Sequence, residues 1–268
     1  MNNRIFRYVP NTVWSVVLFL TVLLLNQTYA ADPFFTGKDG GEMILIPEGE
    51  FIMGLREDEP GSEGNPYKRV FLSPFYIDKY EVTNVLYKKC IRASICRQPS
   101  LIIDYPRTFF EDGKHWFSDE TMGQYPVVGL SWNQASLYCR WAGKRLPTAA
   151  EWEKAARGSN GRTYPWGNRW DETKANWDDN GRADGYRKLA PVGSFPEGRS
   201  PYGVMDMAGN VRELVDSLVF KGGSWYSYPK SLRSGDPGHG YTVERDDDIG
   251  FRCARDIEQM AHEKKHVK

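Results

Sequence analysis

Residues 138–158 read YCRWAGKRLPTAAEWEKAARG, and the strongest local signals in the chain lie in and beside this stretch. Ser131 and Thr148 are each followed three residues later by Gln or Glu, which is the pattern of a capping box. Each box predicts the start of a helix, because the cap satisfies backbone amides of the first turn. Gly143 and Gly158 predict where these two helices end.

Upstream of this helix pair, short apolar runs predict strands. Residues 43–46 and 51–54 flank a Pro-Glu-Gly-Glu segment, which predicts a hairpin. Residues 70–77 predict a further strand, and Thr83 is expected to begin a helix. A two-residue turn at Asp112-Gly113 predicts another hairpin.

Downstream of Gly158 the periodic pattern is lost. Gly, Asn, Asp and Pro recur every few residues, and the chain as a whole contains 26 Gly, 15 Tyr and 9 Trp. This half is therefore expected to be mostly ordered loop. Such long loop regions are unusual in a compact domain. Disulfides, aromatic packing or bound cations are therefore expected to hold this half of the chain in place.

The N-terminus has the pattern of a targeting segment. Arg4 and Arg7 precede an apolar run at 13–25, and small residues at 28–30 resemble a cleavage site. We expect a signal peptide at 1–30, a domain at 31–255 and a polar tail at 256–268. A membrane anchor is the alternative, but the apolar run is short for a span of roughly 20 residues. The protein is thus expected to be exported, either periplasmic or extracellular, with no transmembrane segment in the mature chain.

Charge and cysteine content indicate which ligands and cross-links the protein is expected to have. Acidic and basic residues balance at 35 each, which offers no electrostatic case for binding nucleic acid. Four cysteines in an exported protein suggest disulfides, with three possible connectivities. A local Cys90–Cys96 bridge is easy to close and would leave Cys139 to pair with Cys253. A zinc site is the rival interpretation, although no C-x-x-C or H-x-x-x-H pairing accompanies these cysteines.

Several further segments occur in a recognisable order along the chain. Together with 138–158 they are GEFIMG (49–54), YEVTN (80–84), PVVGLSW (126–132), YPWGN (164–168), MAGNV (207–211), KGGSW (221–225) and GFRCA (250–254). Each is weak alone, but as an ordered set they resemble the formylglycine-generating enzyme family, also called the sulfatase-modifying-factor domain. The resemblance implies a single α+β domain of complex topology, related to the C-type-lectin-like fold, with little regular secondary structure. It also implies that Cys139 and Cys253 form a structural disulfide.

The oxidase members of this family carry two copper-binding cysteines after a Gly-Gly-Ser motif. Here Ser227 and Leu232 stand at those two positions. Copper(I) is a soft ion that selects thiolate ligands, and a hydroxyl does not replace them. We therefore expect no copper and no formylglycine generation.

A second enzymatic branch of the superfamily uses non-heme iron held by a His-x-x-x-His-x-Glu triad. His262 and His266 have the helical spacing but lie in the polar tail without the Glu. His115 and His239 are expected to be surface residues. We therefore expect no iron triad.

Two oxygen-rich clusters match the family's calcium sites. Calcium takes six to eight oxygen ligands in flexible geometry, and mixed carboxylates and carbonyls suit it. Turn formation is the alternative role for these Asn and Asp residues. The first expected site comprises the side chains of Asn176 and Asp184 with the carbonyls of Trp177 and Tyr186. The second comprises the side chains of Asp206 and Glu213 with the carbonyls of Gly209 and Val211.

Three functions remain open from the sequence. The first is a binding or scaffold module for an unknown protein or small molecule, whose former active cleft would be lined by Trp225, Tyr226, Tyr228 and Arg233. The second is a tailoring enzyme, because one exported branch of the family is linked to periplasmic maturation of the siderophore pyoverdine without the copper cysteines. The third, the oxidase itself, is disfavoured by the missing thiols. The acidic run at 244–248 is interpreted as a solvated loop.

Overall fold

Nine short strands and three α-helices form the regular structure of the described residues, which are 32–99, 117–177, 184–238 and 245–257 of a computed structural model. The strands are β1 Phe34–Thr36, β2 Glu42–Ile46, β3 Gly49–Met53, β4 Lys68–Leu72, β5 Phe75–Asp78, β6 Arg212–Leu214, β7 Phe220–Lys221, β8 Ile249–Phe251 and β9 Ala254–Asp256. The helices are α1 Asn84–Arg92, α2 Trp132–Trp141 and α3 Ala149–Arg157. The strands form three sheets in the orders β1-β2-β5-β9, β3-β4 and β7-β6-β8.

The three helices begin at the predicted caps. Thr83 precedes α1, and Ser131 and Thr148 each make both bonds of a capping box. Gly158 ends α3 at a φ of 74°, a left-handed value that favours glycine. Local chemistry thus fixes where these helices start and stop.

The predicted hairpin between 43–46 and 51–54 is wrong. Strand β2 lies between β1 and β5, whereas β3 pairs with β4. Lys154 of α3 donates from Nζ to the carbonyls of Pro47 at 2.6 Å and Gly49 at 3.0 Å. This clamp holds the connection against α3, and β3 continues into a separate sheet.

The strand predicted over 70–77 is divided in two. Strand β4 ends at Leu72 and β5 begins at Phe75, and the two belong to different sheets. Pro74 stands between them and has no amide hydrogen to donate to a ladder.

Both disulfides link buried parts of the chain. Cys90 pairs with Cys96 at the end of α1, and Cys139 in α2 pairs with Cys253 between β8 and β9. These are the two pairings expected from the sequence, and they account for all four cysteines of the chain. Around them lies a core cluster in which Tyr87 stacks on Tyr138 with ring centroids 5.4 Å apart.

The charged residues of 138–158 are unusually buried. Lys144 is 4% exposed and donates from Nζ to Asp39 at 2.9 Å and Asp78 at 2.8 Å. Burial alone would lower the pKa of Lys144, but these two carboxylates hold it above its ordinary value. In α3, Arg157 pairs with Glu153 at 2.8 Å, and neither side chain is exposed. This stretch therefore connects distant parts of the chain through ion pairs as well as apolar packing.

The half after Gly158 is built mostly from loops, as predicted. Before β6 its described residues contain a single 3-10 turn, Pro196–Gly198, and no α-helix or named strand. Apart from Asp32, the described residues belong to one compact unit, Pro33–Lys268. Within the described ranges, no helix is both long enough and apolar enough to cross a bilayer.

Candidate functional site

A cavity of about 270 Å³ lies over the Gly222-Gly223 turn. We call it the Ser227 cleft, and its walls include Arg212, Phe220, Gly223, Tyr226, Ser227 and Asp248. At Gly223 φ is 67°, and an added Cβ would lie 2.9 Å from the carbonyl oxygen of Ser231. Glycine is therefore required for the backbone to turn beneath the cleft.

Ser227, at the first former copper position, belongs to a chain of hydrogen bonds that ends at an ion pair. Its Oγ accepts from the amide of Ser224 at 3.0 Å and lies 3.3 Å from the Ser224 Oγ. Ser224 donates to Asp248 at 2.7 Å, and Asp248 binds Arg212 through both carboxylate oxygens at 2.7 and 3.0 Å. The site is thus a hydroxyl and carboxylate network without a thiol.

Leu232, at the second former copper position, is fully buried and lies outside the cleft lining. It packs in a cluster with Tyr164, Ala175 and Ala208. Leu232 ends the 3-10 turn Pro229–Leu232, and it is the buried residue of that turn.

Of the four residues expected to line the cleft, the structure places Tyr226 there, about half exposed. The other three expectations are wrong. Trp225 is buried against Val128 and Val211. Tyr228 is 68% exposed and outside the lining.

Arg233 is the third of these corrections. It is 5% exposed and lies beneath the cleft, where it donates to the carbonyls of Lys230 at 2.8 Å and Pro60 at 3.0 Å. The preceding 3-10 turn carries it inward together with Leu232.

The acidic run at 244–248 is not a solvated loop where it is described. Asp247 and Asp248 are 3% and 7% exposed. Asp247 faces Lys188 at 3.4 Å, and burial raises its pKa to about 6 although Lys188 opposes the shift. Sequence reasoning missed Arg212 and Asp248 as cleft residues. The only signal was the acidic run itself, since their pairing joins positions 36 residues apart.

At the first expected calcium site, the structure brings Asp184 against the backbone of Trp177 and Tyr186. Asn176 is 1% exposed, and its Oδ1 is a buried atom without a hydrogen-bond partner. Asp184 accepts from the backbone amides of Trp177 at 3.0 Å and Tyr186 at 2.7 Å. An orphaned buried oxygen normally requires a partner, so this donor set fits a cation that binds oxygen.

The second expected site has a less open geometry. Asp206 sits at a φ of 58° and accepts from the amide of Gly193 at 2.7 Å. Glu213 shares its two oxygens with Arg252 at 2.6 and 2.7 Å and also accepts from Trp152 at 2.8 Å. Carboxylate oxygens have further lone pairs, so Glu213 is partly rather than fully committed to Arg252.

A third carboxylate, Glu81, adds to the negative charge here and was not among the predicted ligands. It is 1% exposed, and burial raises its pKa well above the ordinary value, with Asp206 and Glu213 adding to the shift. Burial likewise raises the pKa of Asp206 to about 6. Glu213 pairs directly with Arg252, and Glu81 and Asp206 interact with that arginine electrostatically.

Within the described ranges, no three acidic, cysteine or histidine residues are grouped so that their side chains alone could hold a metal ion. His115, His239, His262 and His266 lie outside the described residues, as do the turn at Asp112-Gly113, the signal segment 1–30 and residues 258–268 of the tail. The two calcium candidates therefore depend on amide and carbonyl oxygens as well as carboxylates.

Comparisons with known proteins agree on one family. A family model described as "Sulfatase-modifying factor enzyme 1-like domain" matches residues 30–257. The chain is 31% identical to "Inactive C-alpha-formylglycine-generating enzyme 2" of Mus musculus, over 79% of this chain and 85% of that protein. It is 34% identical to "Formylglycine-generating enzyme" of Thermomonospora curvata, over 64% of this chain and 69% of that protein.

A solved structure also resembles the chain along most of its length. It is described as the structure of PvdO from Pseudomonas aeruginosa, with a TM-score of 0.69 and 28% identity. The match covers 85% of this chain and 100% of that one.

Proposed function

Since the chain belongs to the sulfatase-modifying factor enzyme 1-like domain family, we propose that it is an exported, calcium-stabilised binding protein whose ligand enters the Ser227 cleft. In this proposal the protein does not generate formylglycine. A protein partner or a small molecule would be held by the hydroxyls and the ion pair of the cleft.

The proposal is supported mainly by the residues that stand at the two former copper positions. Ser227 presents a hydroxyl to the cleft, and Leu232 is part of the core. All four cysteines of the chain are tied up in disulfides, so no thiolate is available to bind copper(I). The surrounding turn and the cavity are nevertheless intact, which supports retention of binding without the oxidase chemistry.

A direct test offers the purified protein a Cys-x-Pro-x-Arg peptide with copper and oxygen and measures aldehyde by mass spectrometry. A known formylglycine-generating enzyme serves as positive control. We expect no aldehyde above the protein-free control. Sustained turnover would overturn the proposal.

Binding in the cleft is tested by filling it. Ser227→Trp places a large ring in the cavity, and Ser217→Trp adds the same ring at an exposed position as a control. Native mass spectrometry of protein purified from its exported compartment should reveal a bound molecule in the wild type and in Ser217→Trp. Its persistence in Ser227→Trp would show that binding occurs elsewhere.

The calcium part of the proposal is supported by the orphaned Asn176 Oδ1 and by the acidic side chains of Glu81, Asp206 and Glu213, which interact electrostatically. At a free concentration one hundred times its dissociation constant, one bound ion stabilises a protein by about 2.7 kcal/mol. Chelation by EDTA should therefore lower Tm by at least about 5 °C, with recovery on calcium but not on magnesium. An unchanged Tm would contradict this part.

A periplasmic tailoring enzyme of the pyoverdine-maturation type is the second candidate. The similarity to PvdO over the whole of that chain favours it. Deletion of the gene, followed by mass analysis of secreted peptide metabolites, distinguishes the two. A changed metabolite restored by wild type but not by Ser227→Trp would favour the enzyme.

A further inference from the structure

Asn210 occupies a junction between the two calcium candidates. It is 3% exposed and has a φ of 61°, a left-handed conformation that costs a non-glycine residue free energy. Non-glycine residues in such conformations persist where the surrounding contacts require them. The hydrogen bonds of the Asn210 side chain hold it in this conformation.

One side of this junction reaches the first site. Asn176 Nδ2 donates to Asn210 Oδ1 at 2.9 Å, and the amide of Asn210 donates to the Asn176 carbonyl at 2.9 Å. Asn176 Nδ2 also donates to the carbonyl of Lys188 at 2.8 Å. These bonds fix which end of the Asn176 amide is oxygen, and that Oδ1 is the orphaned atom expected to bind the first ion.

The other side of the junction reaches the second site. Asn210 Nδ2 donates to both oxygens of Glu81, each at 3.2 Å. Asn210 itself lies between Gly209 and Val211, whose carbonyls belong to the second expected site. The Glu81 carboxylate interacts electrostatically with those of Asp206 and Glu213, and a divalent cation there would offset this negative charge.

The hydrogen bonds run in one direction, from Asn176 to Asn210 and from Asn210 to Glu81. Asn176 would hold the first ion through Oδ1, and its polarised amide would then donate more strongly from Nδ2 to Asn210. Hydrogen bonds in a chain strengthen one another in this way, so the Asn210 Nδ2 becomes a stronger donor to Glu81. The Glu81 carboxylate would then be held more firmly in position.

We infer that Asn210 and Glu81 couple the two calcium sites, so that filling either one raises the affinity of the other. The inference rests on the calcium part of the proposed function and adds a positioning role for two residues outside both expected ligand sets. The junction also contacts the chain next to the cleft, because the amide of Trp225 donates to the Asn210 carbonyl at 3.0 Å.

The experiment is a double-mutant cycle read by calcium titration calorimetry, with stoichiometry checked by elemental mass spectrometry. Asp184→Ala removes the first site, and Asp206→Ala removes the second. Coupling energies between sites commonly correspond to 5–150-fold changes, so each single variant should bind at the remaining site about tenfold more weakly than the wild type. In an Asn210→Gly background this difference should fall below about twofold.

Two further variants keep the test decisive. Leu218→Gly is the backbone control, because Leu218 also has a positive φ of 65° and belongs to neither expected ligand set; the tenfold effect should persist in it. Glu81→Gln keeps the shape of the side chain and removes its charge, and it should also abolish the effect if Asn210→Gly fails to fold. Two ions binding independently in the wild type would overturn the coupling but leave calcium binding intact. No bound calcium in the wild type would overturn the premise.

Discussion

Ser224 donates a 2.7 Å hydrogen bond from its Oγ to Oδ2 of Asp248, and both residues are buried beneath the Ser227 cleft. Asp248 in turn holds Arg212, so the serine hydroxyl anchors an ion pair that lines the cavity. A hydrogen bond to a buried charged group contributes more than one between neutral groups.

This contact predicts opposite effects for two buried serines. Ser224→Ala should lower the free energy of unfolding by about 1–2 kcal/mol, because Asp248 loses a donor. Ser234 is equally buried, but its Oγ has no hydrogen-bond partner. Ser234→Ala should therefore be neutral or stabilising by up to about 1 kcal/mol. Urea unfolding of both variants is the measurement, and equal losses would contradict the assignment.

Replacing the buried Lys144 should lower the free energy of unfolding more than replacing Ser224. Lys144→Met should destabilise by about 3–5 kcal/mol, because it leaves the carboxylates of Asp39 and Asp78 buried without their cation. Restoring neutrality with Asp39→Asn and Asp78→Asn in the same chain should recover much of that loss. As a control, Lys79→Met removes a solvent-exposed pair with Glu42 and should cost no more than about 1 kcal/mol. Similar losses in the two lysine variants would refute the role of burial.

The two disulfides differ in the length of chain they close. Cys139 and Cys253 are 114 residues apart, and Cys90 and Cys96 only 6. In the chain-entropy account, the long bridge stabilises by about 4–5 kcal/mol and the short one by about 2 kcal/mol. Replacing both cysteines of each bridge with alanine, followed by thermal unfolding with calcium held constant, should show the larger fall in Tm for the long bridge. The reverse order would indicate that packing dominates over loop closure.

Local signals in the sequence predicted much of this fold. The caps at Ser131 and Thr148 act within one helical turn, so a single sequence is enough to find them. The hairpin prediction failed because Lys154, more than a hundred residues away, binds the carbonyls of the connection. No propensity within 43–54 encodes that contact.

In the candidate site, too, the features set by local sequence were predicted and those set by long-range contacts were not. The motif located the Ser227 position, and the calcium ligands predicted around Asn176 lie within a short stretch of the chain. The inward turn that buries Arg233, and the pairing of Arg212 with Asp248, arise from tertiary packing. Such long-range contacts leave no periodic trace in one sequence, so the cleft lining was only partly predicted.

The last prediction concerns how stability depends on pH through Asp247, which lies next to the cleft residue Asp248. Burial raises its pKa from the ordinary 3.8 to about 6; Lys188 opposes the shift, and Asp246 and Asp248 reinforce it. Between these two values the folded protein binds a proton that the unfolded chain has released. The contribution of Asp247 to stability is therefore greatest at low pH and is lost as the pH rises towards about 6 and above.

Asp247→Asn cannot ionise, so its stability relative to the wild type should increase as the pH is raised from about 4 to 7 and then level off. Thermal unfolding across this range, in a fixed excess of calcium, measures the difference in Tm at each pH. A pH-independent difference for Asp247→Asn would mean that Lys188 holds the carboxylate ionised throughout, and that the ion pair outweighs burial.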